Sequence, residues 1–182
     1  GEVTLTADKD IFERDNVGSL IELTHYKKSE YKKGVPDATD ALMVSCLPGS
    51  SVYVESFGFW KGSFALEKYN ESSAMWELVR TQDGNHSQNY NFTDKNEEEH
   101  IVRYRITSSE FDTTIWSGEN ERQKGYVTIQ SFGNDYSGIV KITEYVSGKS
   151  VKGKVLRTIG STAATQNWAF SPWNRSKGYP TA

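Results

Sequence analysis

Cysteine is nearly missing from this 182-residue chain: the single Cys46 cannot close an internal disulfide, and in Leu42-Met-Val-Ser-Cys-Leu47 it reads as a small buried side chain. Histidine is scarce too. His25, His86 and His100 show no His-x-x-x-His spacing and have no second thiol to work with, so a zinc centre is not expected. No apolar run approaches the roughly 18 residues that span a bilayer, and Gly1–Asp10 lacks the basic-then-apolar order of a signal peptide. A net charge of -3 with both signs interspersed excludes a broad cationic grip on nucleic acid. The one basic cluster, Lys27-Lys28 with Lys32-Lys33, reads as solvated surface.

Helical periodicity is absent as well, and what stands in its place is strand-like. Fifteen glycines, 13% aromatics and many Thr/Val/Ile/Tyr clusters indicate strands joined by tight turns, so the expected fold class is all-β. Val3–Thr6 and Val17–Thr24 read as strands, the latter half-buried, with Ile21 and Leu23 alternating against Leu20, Glu22 and Thr24. Residues Lys27–Asp40 carry lysines, Gly34, Pro36 and acids, and predict an exposed loop with a boundary in it. Strand-like runs then follow closely: Ala41–Leu47, Ser51–Phe57, Gly62–Tyr69, Met75–Arg80, Gln88–Phe92, His100–Thr107 and Thr113–Trp116, a spacing that suggests a β-sandwich. Gly125–Gln130, Gly138–Val146 and Val151–Arg157 complete the set, with Ser147-Gly148-Lys149 as a hairpin turn.

Several candidate chemistries fail on their own residues. Asp83-Gly84-Asn85 lacks the alternating oxygen ligands and the closing Glu of a calcium loop, and reads as a hairpin turn. Glu97-Glu98-Glu99 could be offered as half of a glycosidase carboxylate pair, but consecutive acids are usually a solvated turn. Neither a Gly-x-Ser-x-Gly elbow nor a phosphate-cradling Gly-x-x-x-x-Gly-Lys-(Ser/Thr) loop occurs. No catalytic residue, cofactor or metal ligand is therefore expected, and the chain reads as a non-enzyme. The Asn-x-(Ser/Thr) triplets at Asn70, Asn85, Asn91 and Asn174 arise by composition.

Aromatics are what invite a ligand. Tyr53, Phe57, Phe59, Trp60, Tyr69, Trp76, Tyr90 and Trp116 fall in the expected sandwich, where most would pack in the core. Phe59, Trp60 and Tyr90 sit at predicted strand ends and are the rings expected to be exposed, for glycan stacking or a protein contact. In the C-terminal stretch Trp168, Trp173 and Tyr179 are the candidate interface rings, since large apolar rings on an irregular strap need a surface to cover.

Four stretches in order carry a resemblance. They are Leu5-Thr-Ala-x-x-x-x-Phe-x-x-x-x-Val-Gly-x-Leu-Ile21; Trp60-x-Gly-x-Phe-x-Leu-Glu67 with Trp76 beyond its turn; Gly138-x-Val-x-Ile-Thr143 through Val155-Leu156; and Trp168-x-x-x-x-Trp173-x-x-x-x-Gly178-Tyr-Pro180. Each alone is unspecific, but their order resembles the tail-tube or nozzle structural proteins of phage tails. The resemblance implies a β-sandwich at 41–118 inserted into a small discontinuous, β-barrel-like domain made of 1–40 and 119–167. It also implies that 168–182 is a connector to a further domain, the chain being a fragment of a larger protein. The implied role is a non-enzymatic subunit of a phage or prophage tail, located in the virion, or in the bacterial cytoplasm when expressed from a prophage. Its partners would be copies of itself or neighbouring virion subunits, with neither a membrane nor sequence-specific nucleic acid. The alternatives are a carbohydrate- or receptor-binding β-sandwich, with a glycan as partner, and a secreted bacterial surface domain.

Overall fold

The computed structural model describes residues 1–114 and 123–170. Thirteen strands and one turn of 3-10 helix (Arg14–Asn16) make up the regular structure of these residues, in three antiparallel sheets. The all-β expectation holds. The strands are β1 Glu2–Thr6, β2 Leu20–Lys27, β3 Glu30–Gly34, β4 Met43–Cys46, β5 Ser51–Phe57, β6 Lys61–Asn70, β7 Met75–Asn85, β8 Asn91–Lys95, β9 Val102–Asp112, β10 Tyr126–Ser131, β11 Asn134–Ser147, β12 Ser150–Arg157 and β13 Trp168–Phe170.

Two compact units divide the chain: Gly1–Tyr26 with the chain from Asp135 onward, and Lys27–Asn134. The first holds a five-stranded sheet in the order β1-β12-β11-β2-β13. Its two chain segments interleave, because β2 lies beside β11, where Gly18 N–H donates to the Ile142 carbonyl at 2.7 Å and Ile142 N–H to the Ser19 carbonyl at 2.8 Å. Gly18 has φ +92, a conformation that favours glycine. Phe12, Ile21, Val140, Ile142 and Val151 form the buried core, with Leu5, Leu23 and Trp168 packed against it, while Leu20 lies outside that cluster. The described strands leave β1 and β13 as edges, so this sheet is open where a barrel-like closure was expected.

The second unit holds two four-stranded sheets, β3-β10-β5-β8 and β4-β9-β6-β7, whose inward residues form one core. Strand alternation builds it directly. Val52 and Val54 of β5, Val127 and Ile129 of β10, Phe64 and Leu66 of β6, and Val102, Tyr104 and Ile106 of β9 are all buried. Tyr104 brings a polar tip into this core and satisfies it by donating to Asp94 Oδ2 at 2.8 Å. Burial, then that hydrogen bond and the Asp94 charge, push its phenol well above the usual tyrosine range.

Three expectations are corrected here. The expected loop at Lys27–Asp40 contains β3, which pairs with β10 from Glu30 to Gly34 and so belongs to the second unit. Asp83-Gly84-Asn85 is no hairpin turn: it is the end of β7, paired with Lys61-Gly62-Ser63. The turn comes after it, where His86 and Ser87 take positive φ. The expected strand at Thr113–Trp116 is not formed at Thr113 or Thr114, and its last two residues lie outside the described ones.

Candidate functional site

Trp60 was expected to be exposed and is fully buried. Its indole stacks on Phe111 at 4.8 Å and 17°, tilts against Phe64 at 5.5 Å and meets Tyr90 edge-on at 6.2 Å. The indole N–H donates to the Gln88 carbonyl at 2.9 Å, and Ser56 Oγ bonds both that carbonyl and the Tyr90 N–H. A ring so enclosed anchors the Asn85–Tyr90 loop to the core and offers no stacking surface. Phe59 and Tyr90 are half-buried, and Phe59 exchanges backbone hydrogen bonds with Gln123 and Gly125.

The aromatic array that does reach solvent lies elsewhere, on the outward face of the β4-β9-β6-β7 sheet. Tyr69 on β6 is the direct cross-strand partner of Trp76 on β7, and the rings meet edge-to-face at 5.2 Å. Arg103 and Arg105 project from the same face of β9. The Arg105 guanidinium sits 4.1 Å from the Trp76 ring centre, and that of Arg103 sits 4.2 Å from Tyr69 and 5.7 Å from Trp76. Arg105 also bonds Glu67 at 2.8 Å and Asp40 at 2.9 Å. Burial works against its charge, but these two carboxylates outweigh that effect and hold its pKa above the ordinary arginine value. Leu78, opposite Glu67, is 63% exposed at the margin.

Sequence reading missed this array because Arg103 and Arg105 come from a strand about thirty residues beyond the Tyr69–Trp76 hairpin. The available signal was the parity of Arg103 and Arg105 against the buried Tyr104 and Ile106, which places two cations on one outward face.

The first unit carries an open groove of about 1110 Å3, lined by Leu5, Ile11, Phe12, Leu23, Ile159 and Trp168 among others. Trp168 is half-buried there, at 5.8 Å and 84° to Phe170, whose ring in turn meets Phe12 at 6.5 Å. His25 borders the groove. Its Nε2 lies 2.9 Å from the Ala163 carbonyl, which can only accept, so Nε2 is the donor; buried Nδ1 has no hydrogen-bond partner among the described residues. Trp173 and Tyr179 lie outside the described residues.

Among the described residues no three His, Cys, Asp or Glu side chains converge in a way that could hold a metal ion. Glu97, Glu98 and Glu99 form an exposed turn held by Asn96, whose Oδ1 accepts from the Glu98 N–H at 2.9 Å.

No family model and no curated protein matches the chain. Among solved structures, a point mutant of CBM29-2, a family 29 carbohydrate-binding module, shares 7% identity over 74% of this chain and 91% of that one, at a TM-score of 0.28. Another CBM29-2 mutant, complexed with cellulohexaose, shares 7% identity over 74% and 90% of the two chains, at 0.29. Likenesses this low carry no argument about the chain's fold or function.

Proposed function

We propose that the chain is a non-enzymatic structural module of a phage or prophage tail: a β-sandwich inserted into a small discontinuous β domain, contributing contacts to neighbouring subunits. The supporting observation is the interleaving of the first unit's sheet. The segments that carry the resemblance, Leu5–Leu23 and Gly138–Leu156, are remote in sequence but neighbours in space, with β1 against β12 and β2 against β11. Trp168, which opens the last resembling stretch, joins the same sheet opposite Leu23. A structural role needs surfaces and no reacting groups. Gold-labelled antibody raised against the chain, applied to purified phage or induced prophage particles, should decorate the tail. Particles that stay unlabelled, in a lysate that contains the chain, would refute the reading.

A second reading, a carbohydrate- or receptor-binding sandwich, is favoured by the outward Tyr69–Trp76 pair flanked by two arginines and Glu67. Sugars are bound by an aromatic surface together with a few fixed polar groups. Titration with oligosaccharides while following the Trp76 indole signal by NMR tests it.

A further inference from the structure

Arg103 and Arg105 stand two residues apart on the same face of β9 and share the Trp76 ring, yet among the described residues only Arg105 is hydrogen-bonded to carboxylates. Arg105 is held by Glu67 and Asp40. Arg103 is positioned by Tyr69 and Trp76 alone and has no carboxylate within ion-pair distance among the described residues. Ring contacts take up a face of the guanidinium and leave its N–H edge available. They also restrict the side chain before any ligand arrives, so less freedom is lost on binding. A fixed guanidinium edge matches a carboxylate with two parallel hydrogen bonds.

The surroundings indicate what bears that carboxylate. An ordinary protein interface covers about 800 Å2 per partner and has an apolar centre. Here the centre of the face is occupied by Arg105 and Glu67, with Ser45 directly across from Arg103 on β4. One ring pair amid fixed donors and acceptors suits a pyranose better than a protein core.

We propose that this face binds carboxylate-bearing glycans, of the uronic acid class, in preference to neutral ones, with Arg103 as the residue that reads the acid. The inference rests on the second reading above and adds the charge class of the ligand.

Calorimetric titration of the purified chain with hexagalacturonate and with a neutral β-1,4-glucan hexamer tests it. The acid hexamer should bind at least ten-fold tighter, and its affinity should fall with added salt. Arg103→Gln should abolish the preference, Arg103→Lys should keep part of it, and Trp76→Ala should weaken both ligands at least ten-fold. Each variant is to be checked for an unchanged thermal midpoint; Arg103→Lys keeps the test decisive if Arg103→Gln misfolds. Equal binding of both hexamers, unaffected by Arg103→Gln, would overturn the acid selectivity and leave the glycan reading standing. No binding of either hexamer would remove both. Poly-glutamate binding as tightly as hexagalacturonate would overturn the proposal in favour of an acidic protein partner.

Discussion

The backbone of Gly84 lies flat against the Trp60 indole, so close that a Cβ at position 84 would overlap the ring. Gly125 closes on the same side chain near its Cβ. This largest core ring is thus packed partly by bare backbone, and a methyl group has nowhere to go. Gly84→Ala should destabilise the chain by about 1–3 kcal/mol, as overpacked cores do, and shift the urea midpoint without changing the slope. An unchanged midpoint would mean that β7 can move away from the indole.

Cys46 is fully buried in the core, and its thiol donates to the Leu47 carbonyl at 3.7 Å. Burial pushes its pKa from the ordinary 9.0 to about 11, partly opposed by Ser50 and Lys27. The neutral thiol is therefore favoured in the folded state. Its contribution to stability is present below pH 9 and lost as the pH rises from there through about 11. Thiol reagents at pH 8 should leave the native chain untouched and label it fully in denaturant; fast native labelling would show that the second unit opens locally.

Asn96 is 1% exposed and fills three hydrogen bonds, donating to the carbonyls of Cys46 at 3.0 Å and His100 at 2.9 Å and accepting from Glu98. Asn96→Ala should cost about 1–3 kcal/mol for the stranded buried carbonyl alone. Replacing neighbouring Glu97, which is exposed, should cost little. Equal losses at both positions, read from denaturation curves, would contradict the anchoring role.

Asp37 and Asp112 each accept from the hydroxyl and then the N–H of the threonine two residues on, and both carboxyls are held below the ordinary 3.8. The charged form is the one stabilised. Any gain is present above the ordinary value and lost as pH falls through the lowered one. Thr39→Ala should move the Asp37 midpoint, followed by NMR, back up toward 3.8 and leave Asp112 where it is.

Alternation made most of this fold legible: Val52, Val54, Tyr104, Ile106, Val140 and Ile142 fall on the buried side as period two requires. β3 was not legible. Glu30-Tyr-Lys-Lys-Gly34 has no apolar face because it is an edge strand held by backbone pairing to β10, to which side chains contribute little. Trp60 misled for another reason, since the glycines that admit it, Gly84 and Gly125, are 24 and 65 residues away. The Tyr69–Trp76–Arg103–Arg105 array likewise depends on register, which local pattern does not reveal. Asn96, standing before three glutamates, carries no local sign of burial.

The chain enters and leaves the Lys27–Asn134 unit at one spot: Gly133 N–H donates to Ser29 Oγ at 2.7 Å, and Gly133 lies against the Lys27 carbonyl. On the other unit Thr24 and Ser137 hydroxyls meet at 2.8 Å, so the strands that flank the insertion are already joined at its base. A segment whose two ends coincide can be lengthened, replaced or removed without rerouting the chain that carries it. The sheet of the first unit therefore keeps its own strand pairing whatever the length of the segment it carries.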